Sequence, residues 1–293
     1  MNKKTILSGI QPSGHLCIGN YLGALKNWNE LQDKYNSIFL VVDMHSITTH
    51  QVPAELRQRC LSFAAQYIAC GINPDKSKKQ KNINAGLFTY PILMASDILL
   101  YQADLVPVGS DQKQHLELAR DLAHRFNTKY SETFKLPEPY IGENGSRIMS
   151  LQDPDKKMSK SDSNTNNIIS LLDSPNIIRK KINRAVTDSG SNIKYDTKKP
   201  GLSNLINIYS SLSNHKITDI ENEYNGKLYS EFKSNLSDLI IDELSPIQKK
   251  YNDLMNDQTY LNNILSDGSN KASYKAKKTI SKVYRKVGFV KSL

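Results

Sequence analysis

The chain has 293 residues, 38% of them hydrophobic, a formal net charge of +10 and a pI near 9.3, enough to bury the core of one large domain with a smaller one beside it. No apolar run approaches the roughly 18 residues of a membrane span, and Met1–Ile10 lacks the hydrophobic centre of an export signal, so the sequence reads as cytoplasmic. The basic balance fits a polyanionic partner, but lysine recurs everywhere, as in the Lys198-Lys199 turn, and the charge reads as a general bias in residue usage rather than a binding stripe.

In chain order, Thr5-Ile6-Leu7-Ser8 reads as a short buried strand and Ser37 to Val42 as a second, each followed by a helical pattern. Leu56, Phe63, Tyr67 and Ile68 recur at helical spacing behind Pro53, and Gly71 closes that helix. Leu105 to Val108 is a third strand, and Gln112 to Phe126 a further amphipathic helix. This β-α-β order predicts an α/β fold, a doubly wound parallel-sheet (Rossmann-like) domain. Beyond about residue 172 only helical periodicity remains, as in Leu228, Phe232, Leu236, Leu239 and Ile240, with a helix entry at Ser174-Pro175. The expected division is 1–172 and an all-helical 173–293. Cys17, Cys60 and Cys70 form no C-x-x-C pair, which argues against disulfide, zinc and iron-sulfur frameworks. Cys60 and Cys70 read as small buried side chains.

Three stretches carry chemistry. Directly after the first strand comes Ser8-Gly9-Ile10-Gln11-Pro12-Ser13-Gly14-His15-Leu16-Cys17-Ile18-Gly19-Asn20-Tyr21; a strand, a glycine turn and a helix start can aim backbone N–H groups at an anion. Gly9, Gly14 and Gly19 would give a nucleotide close approach, with Asn20 near its phosphates, although a plain β–α turn has the same pattern. Lys157-Met158-Ser159-Lys160-Ser161 sets two lysines three residues apart, able to grip a polyphosphate, where a solvated loop is the alternative. Asp97 lies in the apolar helical run Pro91 to Tyr101, where a buried carboxylate without a partner costs several kcal/mol. His45 ends the second strand, where such sheets present side chains to ligands. Met94, Val106 and Val108 with Gln112 are a candidate pocket wall and polar contact, although apolar residues in such positions are more often plain core.

Together S-G-x-Q-P-S-G-x-L-x-I-G-N-Y, the run Pro107-Val108-Gly109-Ser110-Asp111-Gln112 and the K-M-S-K-S loop resemble bacterial tryptophanyl-tRNA synthetases, class I aminoacyl-tRNA synthetases, over nearly the whole chain. The resemblance implies activation of tryptophan by ATP, entering with Mg²⁺, then transfer to tRNA(Trp), with no structural metal and a homodimeric assembly. It places Gln11, Pro12, Ser13, Gly19, Asn20, Gly109, Ser110, Asp111 and the Ile148 backbone on ATP. Lys157, Met158, Ser159, Lys160 and Ser161 would close over the phosphates, with Lys157, Lys160 and Asn20 as the catalytic group. Asp97 would select the indole N–H, beside Met94, His45, Val106, Val108 and Gln112, and the helical 173–293 would read the anticodon.

The chain departs from this pattern in three places. Cys17 stands where a threonine is common, and Leu7 where a phenylalanine is frequent. After Gly71 to Ser77, a strand, a helix and an M-T-x-F-K segment of the family are absent, and the chain passes directly to Lys78 to Leu87. Lys76-Ser77 matches either end of the missing piece, so Lys76 is not assigned to phosphate. In a 3-2-1-4-5 sheet the missing strand is an edge, so its loss predicts an uncovered apolar surface on strand 2. Asn73 to Asn84 can span about 40 Å, so reach is not the obstacle. Three readings follow: an active tryptophan ligase, a catalytically impaired remnant acting as an RNA-binding or partner protein, or a tyrosine-activating relative, which Asp97 disfavours.

Overall fold

The structure, a computed structural model, describes residues 3–48, 52–74, 90–108, 113–140, 147–190 and 192–289. In chain order the elements begin with β1 (Thr5–Ile10), α1 (Ile18–Asn20), a π-helical turn (Tyr21–Leu25), α2 (Lys26–Lys34), β2 (Asn36–Val41) and a 3₁₀ turn (Asp43–Thr48). There follow α3 (Pro53–Ala69), α4 (Tyr90–Leu100), β3 (Leu105–Pro107), α5 (Lys113–Lys129) and β4 (Glu138–Tyr140). The remainder is helical: a 3₁₀ turn (Thr165–Asn167), α6 (Pro175–Arg184), α7 (Pro200–Ser213), α8 (Ile217–Glu223), α9 (Tyr229–Asn256) and α10 (Gln258–Val287). By packing, the chain divides into two discontinuous units: Met1–Pro12, Trp28–Glu143 and Leu254–Leu293 form one, and Ser13–Asn27 with Asn144–Asp253 forms the other.

The first unit holds the sheet, parallel throughout, in the order β2-β1-β3-β4. Parallel strands are covered on both faces, and alternate side chains of β2 face opposite ways. Phe39 stacks on Trp28 at 4.7 Å, and Tyr67 of α3 meets the same indole edge-on at 5.4 Å. Ile38 and Leu40 instead join Leu7, Ile98, Tyr101, Leu116 and Ala119 in a core shared with α4, α5 and Ala272 of α10. β2 does end the sheet among the described residues, but the expected exposure of its side chains is not found: Ile38 and Phe39 are fully buried. The aromatic pair with Trp28 and the α4–α5 layer cover it without an outer strand.

β4 was not expected from sequence, because three residues centred on Pro139 carry no alternation. Its place is set from outside. The Asp104 carboxylate accepts from the Thr5 N–H at 2.6 Å and from Lys135 Nζ at 2.7 Å, while the Asp104 carbonyl accepts from the Glu138 N–H. One residue thereby aligns the starts of β1, β3 and β4. Pro53 opens α3 at its first turn, as predicted. Gly71, at φ +102°, closes the helix where any Cβ would lie 2.8 Å from the Asn29 amide.

In the second unit, Phe232, Leu236, Ile240 and Leu244 form the buried seam of α9. Leu228, read as its first member, lies one residue before the helix and is 67% exposed. Ser174 and Pro175 open α6 as expected. Cys17 and Cys70 are buried, whereas Cys60 is only partly so.

Tyr67 joins the C-terminal ends of β1 and β2. Its buried hydroxyl accepts from the Ile10 N–H at 3.1 Å and donates to the Leu40 carbonyl at 3.2 Å. Desolvation dominates at this fully buried phenol and pushes its pKa up, so it stays protonated and able to donate. Tyr67→Phe leaves both backbone groups without it and should lower unfolding free energy by about 1–3 kcal/mol, read as a reduced urea midpoint at unchanged slope.

Candidate active site

At the C-terminal ends of β1 and β2 the first unit encloses a cavity of about 230 Å³, the place where a parallel α/β sheet binds ligands. Leu7, Leu40, Val42, Ile98, Val106 and Val108 make its apolar wall; Ser8, Gln11, His45 and Asp97 supply polar atoms. The parallel register brings these together, since β1 and β2 end side by side and α4 crosses their core face.

Asp97 is held from one side only. His45, buried at 6% exposure on the turn after β2, lies with Nε2 3.0 Å from Asp97 Oδ2. A carboxylate can only accept, so Nε2 carries the proton in this pair. The other oxygen, Oδ1, accepts from no group among the described residues, and Asp97 lines the cavity. Tyr101, one turn further along the chain, is buried, and desolvation with a smaller contribution from the Asp97 charge pushes its phenol pKa up. An apolar cavity with one ordered carboxylate acceptor can bind an aromatic ligand that offers a single N–H.

The second unit holds the other motifs. Cys17 precedes α1, where its N–H and its thiol both donate to Asn20 Oδ1, at 3.1 and 3.2 Å. Burial pushes the Cys17 thiol pKa up, keeping it a donor. Residues 16–18 pair with residues 169–171, beyond the lysine loop, through Ile18 N–H to the Ile169 carbonyl and Leu171 N–H to the Leu16 carbonyl. The lysine loop itself pairs with Ile148 to Ser150, Met158 donating to the Ile148 carbonyl at 3.0 Å. Asn204 of α7, buried at 2% exposure, fixes residues 148–150 by bonding both the N–H and the carbonyl of Met149.

Gly14 is where the first motif meets the lysine loop. Its φ is +62°, and an added Cβ would lie 2.0 Å from the Lys160 carbonyl oxygen, which also accepts from the His15 N–H at 3.1 Å. Gly9 likewise lies against Leu40 and Val42, and Gly19 faces Met158 and Ile148. At Gly14 and Gly9 the space that a Cβ would need is filled by the chain's own backbone and side chains. Met158 is buried, while Lys157, Ser159 and Ser161 are exposed. Lys160 is half-buried, and desolvation holds its ammonium down at a pKa of about 8, only partly offset by Cys17.

The candidate residues thus fall in two groups. Gln11, His45, Met94, Asp97, Val106 and Val108 line one cavity, Gln11 joining the amino-acid candidates although the sequence grouped it with ATP. Gly19, Asn20, Ile148 and residues 157–161 gather around the lysine loop. Pro12 ends the first stretch of one unit and Ser13 begins the first stretch of the other. Gly109, Ser110, Asp111, Gln112 and Lys76 lie outside the described residues. The sequence did not single out Tyr67, Asn204 or the Cys17–Asn20 cap. Among the described residues no group of three or more His, Cys, Asp or Glu could hold a metal ion, and no helix is long and apolar enough to cross a membrane.

A parallel Rossmann-like sheet with a ligand cavity at its strand ends and a lysine loop clamped to a glycine turn defines a nucleotide-dependent α/β enzyme. The family described as tRNA synthetases class I (W and Y) matches residues 1–80 and 76–245. The chain is 51% identical over 327 aligned residues to the tryptophan–tRNA ligase of Clostridium tetani, covering 99% of this chain and 97% of the relative, and 50% identical to that of Clostridium acetobutylicum, covering 99% and 98%. Among solved structures, tryptophanyl-tRNA synthetase from Mycoplasma pneumoniae superposes with a TM-score of 0.85 at 35% identity, covering 98% of each chain. The Campylobacter jejuni enzyme, crystallised with ADP and tryptophan, gives 0.82 at 30% identity, over 97% of this chain and all of that one. The chain belongs to the class I tRNA synthetases of the tryptophan and tyrosine type. The Clostridium tetani alignment is longer than this chain, 327 positions against 293, so the relative carries residues without counterpart here. The family match comes in two segments that overlap at residues 76–80.

Gly14→Ala combines left-handed strain with a backbone clash and should free the lysine loop. Amide exchange at 157–161 should accelerate by about 10-fold or more, whereas Gly23→Ala, which meets nothing within 4 Å, should leave those amides unchanged.

Proposed function

We propose that the chain activates L-tryptophan with ATP to tryptophanyl-adenylate and transfers the aminoacyl group to tRNA(Trp), releasing pyrophosphate and then AMP. The observation that carries this reading is Asp97: a carboxylate in an apolar, amino-acid-sized cavity, oriented by His45 through one oxygen and leaving the other for a donor. Indole offers one N–H and no acceptor, so it satisfies Oδ1, whereas phenylalanine would leave a buried carboxylate oxygen without a donor. Membership of the family and the named Clostridium relatives support the same substrate.

Activation needs no protein nucleophile. A carboxylate oxygen of tryptophan attacks the α-phosphorus, the bond to the bridging oxygen breaks, and pyrophosphate leaves with the negative charge. The protein's part is to position the reactants and stabilise that charge. Met94, Val106 and Val108 pack the indole, with Gln112 as a polar contact. Gln11, Pro12, Ser13, Gly19, Asn20 and the Ile148 backbone hold ATP, joined by Gly109, Ser110 and Asp111. Lys157 and Lys160, set in register by Met158 and flanked by Ser159 and Ser161, hold the phosphates, and Mg²⁺ enters as the ATP complex. Residues 1–172 carry activation and 173–293 read the tRNA anticodon, in a cytoplasmic homodimer.

Tryptophan-dependent ATP–pyrophosphate exchange tests the proposal: exchange with tryptophan and none with tyrosine is expected, and a folded protein without exchange would refute it. The pH dependence has a defined sign. Lys160 must be charged to hold phosphate, and its pKa in the free protein is about 8. kcat/KM for ATP should therefore be highest below that value and fall as pH rises through it. In Lys160→Arg, which remains charged, that fall should disappear.

A further inference from the structure

Asn204 lies on α7, outside the residues 1–172 assigned to activation, yet its side chain bonds the stretch that precedes the lysine loop. Residues 148–150 form an isolated antiparallel bridge with that loop, centred on Met149 and Lys157. In such a pair, successive residues turn their backbone groups to opposite edges. The Ile148 carbonyl accepts from the Met158 N–H at 3.0 Å and the Ser150 N–H donates to the Lys156 carbonyl at 2.8 Å, so one edge carries the loop. The N–H and carbonyl of Met149 belong to the other edge, and there the Asn204 amide takes both. Its Oδ1 accepts from the N–H at 2.8 Å and its Nδ2 donates to the carbonyl at 2.9 Å. The amide stands where a neighbouring strand would.

Packing alone does not call for an amide at this position. Leu202, Leu205, Ile206 and Ile208 already bury α7, and an apolar side chain at 204 would cost less to bury than a polar one. The buried Asn204 is tolerable because both ends of its amide are bonded. Among side chains of its size, only an amide presents an acceptor and a donor from one planar group; aspartate could satisfy the N–H alone, and leucine neither. One turn earlier, Gly201 lets the start of α7 come close, since a Cβ there would lie 2.2 Å from the Val186 carbonyl oxygen. The Val186 N–H donates in turn to the Leu151 carbonyl at 2.9 Å, which ties the seat of the helix to the residue after Ser150.

We propose that Asn204 is a positioning residue for amino-acid activation, an inference that rests on the activation reading above. By fixing Met149 it sets the Ile148 backbone that holds ATP and the register of Lys157 and Lys160 on the phosphates. It acts through the backbone and touches no reactant. Without the amide, the Met149 N–H and carbonyl lose their partners and the bridge loses its outer support. Small displacements of groups that position reactants weigh heavily on rate. The tryptophan cavity is built from other residues, all in the first unit, so the effect falls on the ATP side of the reaction.

The test uses the full chain and Asn204→Asp, which keeps the size of the side chain and removes its donor. In tryptophan-dependent ATP–pyrophosphate exchange, kcat/KM for ATP should fall by about 10-fold or more, and the amides of residues 157–161 should exchange with solvent about 10-fold or more faster. Tryptophan affinity by calorimetry without ATP, and amide exchange in α9, should be unchanged. A residue that serves packing alone would lower the urea midpoint and leave kcat/KM for ATP as it was; that outcome would overturn the proposal, as would equal losses for ATP and tryptophan. Should Asn204→Asp fail to fold, Asn204→Ser, which brings no charge, is held to the same expectation. In the wild type the Met149 amide should be as well protected as that of Met158, and exchange at the rate of an unstructured peptide would overturn the proposal without any variant. A wild type that shows no exchange of pyrophosphate would refute the activation reading instead. The positioning claim is then decided by ATP affinity: about 10-fold or more weaker binding in the variant supports it, and equal affinity overturns it.

Discussion

A carboxylate at the wall of an apolar cavity is tolerable only if something holds it, and His45 holds Asp97 at 3.0 Å. The sheet is organised around that pair. Parallel pairing of β1 with β2 brings their C-terminal ends level, the turn after β2 delivers His45, and α4 lays Asp97 against the strands it packs on. Because the imidazole proton satisfies one carboxylate oxygen, the other has a fixed direction and a fixed role as acceptor. A carboxylate free to turn could meet donors from many directions; one held this way presents a single acceptor of fixed direction to the cavity.

The lysine loop obeys a comparable constraint in the other unit. Its backbone is fixed on two sides, by Ile148 to Ser150 and by the glycine turn at Gly14. Half-burial of Lys160 strips part of the hydration from its ammonium and shows as a pKa of about 8. Lys157, by contrast, remains exposed. The two lysines, alike in sequence, therefore differ in environment.

Much of this was legible in the residues. β1, β2, α3, α4 and the entry to α6 follow from apolar runs and from proline at first turns, and Asp97 was conspicuous as a charge among Leu, Ile and Met. What escaped the sequence is what depends on distance along the chain. His45 and Asp97 are separated by 52 residues, so a carboxylate that looked unpartnered had a partner that only the sheet supplies. The space beside Gly14 where a Cβ would stand is filled by the Lys160 carbonyl. β4 owes its position to Asp104, and β2 remains covered at the sheet edge because Trp28 and Tyr67 pack there.

The central claim is that the free oxygen of Asp97 reads an indole N–H. Calorimetric titration with tryptophan and with 3-(benzothiophen-3-yl)alanine, which keeps the ring shape but replaces N–H with sulfur, tests it directly. A charge-assisted hydrogen bond of about 1.5–3 kcal/mol predicts about 10- to 150-fold weaker binding of the sulfur analogue. Equal affinity for the two ligands would contradict the claim.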